Sequence, residues 1–170
     1  MNQAAQSGVP ATAPATRDYF AEMYVAGVLA DAGWNVYFPR RDEGFDFIIT
    51  KLVSGSILVR PVQVKGKYPT RDKTAKMRYG YRGKLTAIHP EMVLAMPFFG
   101  MDLHAAPLFT VYLPVKQLSP RGGRAGQYRV EPARYRDAQS SVRPHFRRFT
   151  DEAGVALLES AEWPAQSPRI

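Results

Sequence analysis

Apolar and polar positions alternate most clearly between Phe45 and Lys65. Over Phe45–Thr50 the residues Phe45, Phe47 and Ile49 fall on one side of an extended chain, and Asp46, Ile48 and Thr50 on the other. Val53-Ser54-Gly55-Ser56 reads as a hairpin turn. The returning strand ends in Val62-Gln63-Val64-Lys65, with the two valines on one side and the amide and ammonium on the other. A strand this apolar is expected to be buried, and buried polar groups need partners. Asp46, one strand earlier, and Glu22, one helix earlier, are the partners the pattern offers.

That helix is expected over Arg17–Ala32, with Thr16 as its N-cap, Asp18 in the first turn and Gly33 as its stop. Phe20, Met23, Gly27 and Ala30 form one apolar stripe; Tyr19, Glu22, Ala26 and Leu29 form the next. Glu22 therefore stands at the margin of the buried face. A strand over Trp34–Phe38 and a polar turn over Arg40–Gly44 follow.

Beyond Gly66 the pattern loosens. Lys67–Gly83 interleaves basic residues with tyrosines and fits either a short helix or an irregular hairpin. Met92–Met96 reads as a buried central strand and Leu108–Leu113 as another. Between them Phe98, Phe99 and Met101 are expected to cover the sheet. Val115–Leu118 begins a short helix, and Gln127–Val130 is one more strand. Arg143–Phe149 is anchored by Phe146 and Phe149. Thr150 caps a last helix that runs to about Ala161. Residues 1–15 lack charge and packing side chains and read as a disordered tail; 16–163 form one domain; 164–170 are a loose end. The fold class is α/β, a central mixed sheet flanked by helices.

Composition changes this picture mainly through charge. The chain of 170 residues carries a net +8. Nine basic and one acidic residue lie between Arg60 and Lys84, and nine basic and two acidic between Lys116 and Arg148. The remainder is acidic. Two basic stretches, one directly after the polar strand, favour a polyanionic partner. Lys67, Arg71, Lys73, Lys76, Arg78, Arg82, Lys84, Arg121 and Arg124 are the candidate nucleic-acid contacts, DNA in preference to RNA. No apolar run approaches the roughly 18 residues of a membrane helix, so no membrane partner is expected. No secretory signal is recognisable, which makes the cytoplasm the expected location. Without cysteine there is no disulfide or thiolate chemistry.

Glu22, Asp46, Gln63 and Lys65 then form a constellation of two carboxylates, an amide and an ammonium. Oxygen donors of this kind suit Mg²⁺ or Mn²⁺. Lys65 lies about 6.6 Å beyond Gln63 along a strand, within reach of a water on such a cation. The arrangement is suited to hydrolysing a phosphodiester.

In Glu22 on a first helix, Gly44-Phe45-Asp46 opening a strand, and Gln63-Val64-Lys65 on the next, residues 17–66 resemble the PD-(D/E)xK nuclease superfamily. That superfamily includes restriction endonucleases and archaeal Holliday-junction resolvases. The resemblance implies a restriction-endonuclease-like α-β-β-β-α-β core. It implies metal binding by Asp46, Gln63 and the Val64 carbonyl, with Glu22 acting directly or through water and Lys65 catalytic. Gln63 stands where an acid is usual, which removes one negative charge from the metal site; Phe45 stands where proline is usual. Two other readings remain: a nucleic-acid-binding module that does not cut, and a structural salt bridge between Asp46 and Lys65. A nuclease that cuts two strands is also a candidate homodimer.

Overall fold

The computed structural model describes residues 15–41, 43–72, 74, 76–85, 89–102, 105–118 and 127–166. Of the expected tails 1–15 and 164–170, residues 1–14 and 167–170 lie outside this set; Ala15 instead opens the first helix, and Pro164 and Ala165 belong to a 3-10 turn that starts at the buried Trp163. Helix α1 spans Ala15–Asp31, so Thr16 is inside the helix rather than its cap. Its end follows from Gly33, whose φ of +84° an L side chain rarely adopts. The Gly33 N–H donates to Ala30 O at 2.9 Å and the Trp34 N–H to Leu29 O at 3.1 Å, a Schellman closure. Trp34, just beyond, is buried in the same cluster as Leu29.

The strands that follow are β1 Asn35–Tyr37, β2 Phe47–Val53 and β3 Ser56–Val64, then β4 Pro69–Arg71, β5 Met77–Tyr79 and β6 Arg82–Lys84. Next come β7 Val93–Phe98, β8 Phe109–Pro114, β9 Gln127–Arg129, β10 Ala133–Arg136, β11 Gln139–Val142 and helix α2 Asp151–Leu157. The central sheet has the order β1-β2-β3-β7-β8. Only β3 and β7 pair in parallel; every other neighbour in the sheet is antiparallel. The β2–β3 hairpin closes over Ser54-Gly55, both at positive φ (50° and 78°), the twist a two-residue hairpin requires.

Alternation divides the sheet into two faces. Phe47, Ile49, Val62, Val64, Val93, Ala95 and Tyr112 join Ala21, Val25, Ala26 and Leu29 of α1, together with Leu158 and Trp163, in one cluster. Leu94, Met96, Val111 and Leu113 point the other way, into a second cluster with Tyr79, Tyr128, Val130, Phe146 and Phe149. Each such large side chain contributes on the order of 2 kcal/mol by leaving water. Among the described residues no helix is long and apolar enough to cross a membrane.

Several expectations change. The buried row of α1 is Ala21, Val25, Ala26 and Leu29, whereas Phe20, Gly27 and Ala30 are exposed. The helix is apolar on most sides, so periodicity alone does not choose its face; the small residues at 21 and 26 let it sit close to the sheet. Among the described residues the α-helices pack mainly on one face, and the other is covered by β-hairpins together with the 3-10 segment Pro144–Phe149. Among the described residues no helix connects β3 to β7. Pro69, Gly80 and Gly83 punctuate that segment and favour short strands. It is the hairpin β4–β5, closed by Asp72, whose Oδ1 accepts from the Thr74 and Lys76 N–H groups.

Helix α2 stops at Leu157, short of Ala161. Thr150 holds the N-cap position as expected, but its hydroxyl donates to Phe146 O at 2.9 Å instead of accepting from the first turn. Arg60 supplies the reason for the early end. Its fully buried guanidinium donates to Leu158 O at 3.3 Å and Ser160 O at 3.0 Å and pairs with Glu91. The Leu158 carbonyl is thus met by a strand side chain, and Ser160 O accepts both from Arg60 and from the Trp163 N–H at 3.1 Å. Arg60, counted with the basic stretch in the sequence, is a structural cation.

Candidate active site

The C-terminal end of β3 is where the predicted polar residues gather. Asp46 lies in the bend that follows Gly44, one residue before β2 begins, rather than within the strand. Gly44 has φ +85°, and the turn it makes sends Phe45 toward the second cluster while Phe47 enters the first. The two phenylalanines therefore do not share a side. The Asp46 N–H still donates to Val62 O at 2.8 Å, which continues the β2–β3 ladder.

The Asp46 carboxylate is held by its neighbours. Oδ2 accepts from Gln63 Nε2 at 2.8 Å and from the Val64 N–H at 2.5 Å. Gln63 is 9% exposed and finds its partner in Asp46, as the alternation required. Because the amide nitrogen donates to a carboxylate, the Gln63 oxygen is the atom left for another ligand.

Pairing with β7 runs on past the end of β3. The Lys65 N–H donates to Ala95 O and the Lys67 N–H to Pro97 O, each at 2.8 Å, and the Phe99 N–H returns to Lys67 O at 2.8 Å. Gln63, Lys65 and Lys67 thus form one row, and Val62, Val64 and Gly66 the other. Gly66 faces α1: a Cβ there would lie 3.2 Å from Ala21 Cβ and 3.0 Å from the Tyr68 ring. This close approach brings α1, and Glu22 beside Ala21, to the lysine end of β3. Glu22 is half-buried, and its carboxyl is raised above the usual range by burial and then by the charges of Asp46 and Asp18, with Lys65 opposing. Asp46 and Lys65 are each within electrostatic reach of Glu22.

Lys67 departs from the other basic candidates because it is buried, 8% exposed. Its ammonium lies 5.9 Å from the centre of the Tyr128 ring. Burial, and then repulsion from Lys65, pushes its pKa down to about 8. Arg71, Lys76, Arg78, Arg82 and Lys84 are exposed. Arg78 Nε binds Asp72 Oδ2 at 2.8 Å, and the Tyr81 ring lies under the guanidinium carbons of Arg82 (5.5 Å) and Arg129 (4.9 Å). Lys73, Arg121 and Arg124 lie outside the described residues.

Arg134 and Arg136 were missed by the sequence reading. Both are exposed on β10, and their signal was the alternation Ala133-Arg134-Tyr135-Arg136. Among the described residues no group of three or more acidic, histidine or cysteine side chains could hold a metal; the site offers two carboxylates and an amide. No family model and no curated protein matches the chain. Among solved structures it is similar to a bacterial homing endonuclease, I-Ssp6803I, with a TM-score of 0.40 and 18% identity. That match takes in 61% of this chain and 66% of the endonuclease's.

Proposed function

We propose that this protein is a divalent-metal-dependent endonuclease acting on DNA, of the PD-(D/E)xK type with glutamine in place of the second acid. The observation that carries the reading is the Asp46 carboxylate fixed by Gln63 Nε2 and the Val64 N–H, immediately before Lys65.

Asp46, Gln63 through its amide oxygen, the Val64 carbonyl and Glu22 would hold Mg²⁺ or Mn²⁺. The fit is supported by the chemistry of the donors, all oxygen, and by the Glu22 carboxyl, which burial raises first and repulsion from Asp46 second. A dication beside both acids would relieve that repulsion. When bound, such an ion supplies charge stabilisation for the scissile phosphate and a lowered pKa for water. The protein's own groups do the rest. The Val64 N–H and the Gln63 amide fix the orientation of Asp46. Lys65 orients the attacking water and stabilises charge as it develops on the phosphate. The exposed cations of β4–β6 hold flanking phosphates.

A second reading, a binding module that does not cut, is favoured by one observation: the described residues supply only two acids at this site, fewer than a tight cation site prefers.

The test is cleavage of DNA and RNA panels with Mg²⁺, Mn²⁺ or EDTA, with Asp46→Ala and Lys65→Ala run beside the parent. Metal-dependent DNA cleavage that falls by at least about 10²-fold in both variants is the expected result. Salt-sensitive binding with no cutting under any metal would replace the nuclease with the binding module. Cutting by Asp46→Ala at the parent rate would remove the site assignment.

A further inference from the structure

Outside the β3 end, a group of exposed cations lies between two hairpins. The β4–β5 and β10–β11 hairpins enclose a groove of about 710 Å³ lined by Lys76, Arg78, Tyr79, Arg134, Tyr135 and Arg136, among others. Arg134 and Arg136 stand on the same side of β10, one residue apart, and face no carboxylate across the hairpin, where their register partners are Ser141 and Gln139. Two acids reach the groove. Glu131 is engaged by Arg143, and Asp137 lies 3.7 Å from Arg136 with both side chains about nine-tenths exposed, a pair that water screens heavily. Lys76 and Arg134 form no ion pair among the described residues.

The groove is built into the fold and joined to the β3 end. The Tyr79 hydroxyl at its back donates to Phe99 O at 2.8 Å and shares a 2.7 Å hydrogen bond with Ser140 Oγ of β11. Phe99 is in turn hydrogen-bonded to Lys67. Two steps of hydrogen bonding therefore connect the groove wall to the segment that carries Lys65. Half-buried Tyr135, edge-on to Tyr79 with centroids 5.7 Å apart, also lines the groove, from the side of β10 opposite the two arginines.

We propose that this groove is a second nucleic-acid contact, in which Lys76, Arg134 and Arg136 hold the phosphates of a strand that continues away from the β3 end. Guanidinium and ammonium groups that line one groove with tyrosines suit phosphate and base better than an acidic peptide, which offers no stacking face. The inference deepens the nuclease reading and rests on it only for what happens to the bound strand.

The experiment uses the full chain, a short duplex DNA and its single strand, with EDTA present and salt varied. Arg134→Gln with Arg136→Gln is compared with the parent and with Arg134→Lys, Arg136→Lys. The glutamine pair is expected to weaken binding at least about tenfold at low salt and to reduce the salt slope by about 0.9 for each duplex phosphate that is no longer neutralised. The lysine pair, which keeps the charge, should restore most of both. Unchanged melting of the glutamine pair shows that the hairpin still folds. Equal affinity and equal slope in parent and glutamine pair would overturn the inference, as would parent protein that retains polyglutamate but not DNA. Failure of the nuclease reading looks different: a parent that cuts nothing, yet whose DNA binding depends on Arg134 and Arg136, loses the enzyme and keeps the groove. A parent that cuts, with a glutamine pair that binds and cuts as well, keeps the enzyme and loses the groove.

Discussion

The two rows of one strand treat cations in opposite ways. On the row that faces α1 and α2, Arg60 is buried with its charge met by Glu91 and its other donors met by Leu158 O and Ser160 O. On the opposite row, Lys67 is nearly as buried, yet the charge that acts on it is another lysine, and a tyrosine ring is the contact its ammonium makes. The first arrangement completes the fold. The second leaves a desolvated cation whose charged form the protein penalises. The contrast separates a buried cation that serves stability from one that costs it.

Removing the paired cation should have the largest effect. Arg60→Ala leaves the Leu158 carbonyl and the Glu91 carboxylate without their guanidinium partner, and opens a void beside Leu158. It should lower stability by about 4 kcal/mol in urea unfolding. A loss under about 1 kcal/mol would mean that water replaces the guanidinium at no cost.

Lys67→Met should act in the other direction. Its pKa of about 8 in the folded chain lies below the roughly 10.4 of an unfolded lysine. At pH 7 both states bind the proton, and the folded state carries the burial cost. Between pH 8 and about 10.4 the folded chain has released a proton that the unfolded chain keeps, so stability rises with pH across that window. Methionine should stabilise at pH 7 by up to about 3 kcal/mol and flatten that rise. Melting curves at pH 7 and pH 10 for parent and variant measure both.

The smallest effect concerns the layer over the Lys67 row. Asp137 and Ala138 turn the β10–β11 hairpin at φ 52° and 61°. Ala138→Gly should stabilise by about 1 kcal/mol, seen as a higher melting temperature, by removing the left-handed strain on alanine.

That turn also explains what the sequence did and did not reveal. Ser54-Gly55 announces its hairpin because glycine is the usual residue at such a φ. Asp137-Ala138 adopts the same backbone without a glycine, so β10, β11 and the two groove arginines went unread. Gln63 was legible because a buried amide stands out on an apolar strand. Asp46 was legible as its partner, although its place in the bend before β2 was not. Arg60 misled, since a basic residue in a basic stretch gives no sign that Glu91 and the chain after α2 come to meet it. The buried face of α1 depended on the approach of Ala21 to Gly66, a tertiary contact that no single-helix pattern contains.

The lone parallel pair has a kinetic consequence. The β2–β3 hairpin closes across Ser54-Gly55, and β7–β8 across residues 99–108, so both are comparatively local. Joining β3 to β7 must close residues 65–92, and a parallel register cannot be reached by a tight turn. The N–H groups of Lys65 and Lys67 lie on that seam. The row of polar side chains is therefore aligned by the most distant strand pairing in the sheet, and the rate at which that row assembles is tied to that encounter rather than to either hairpin.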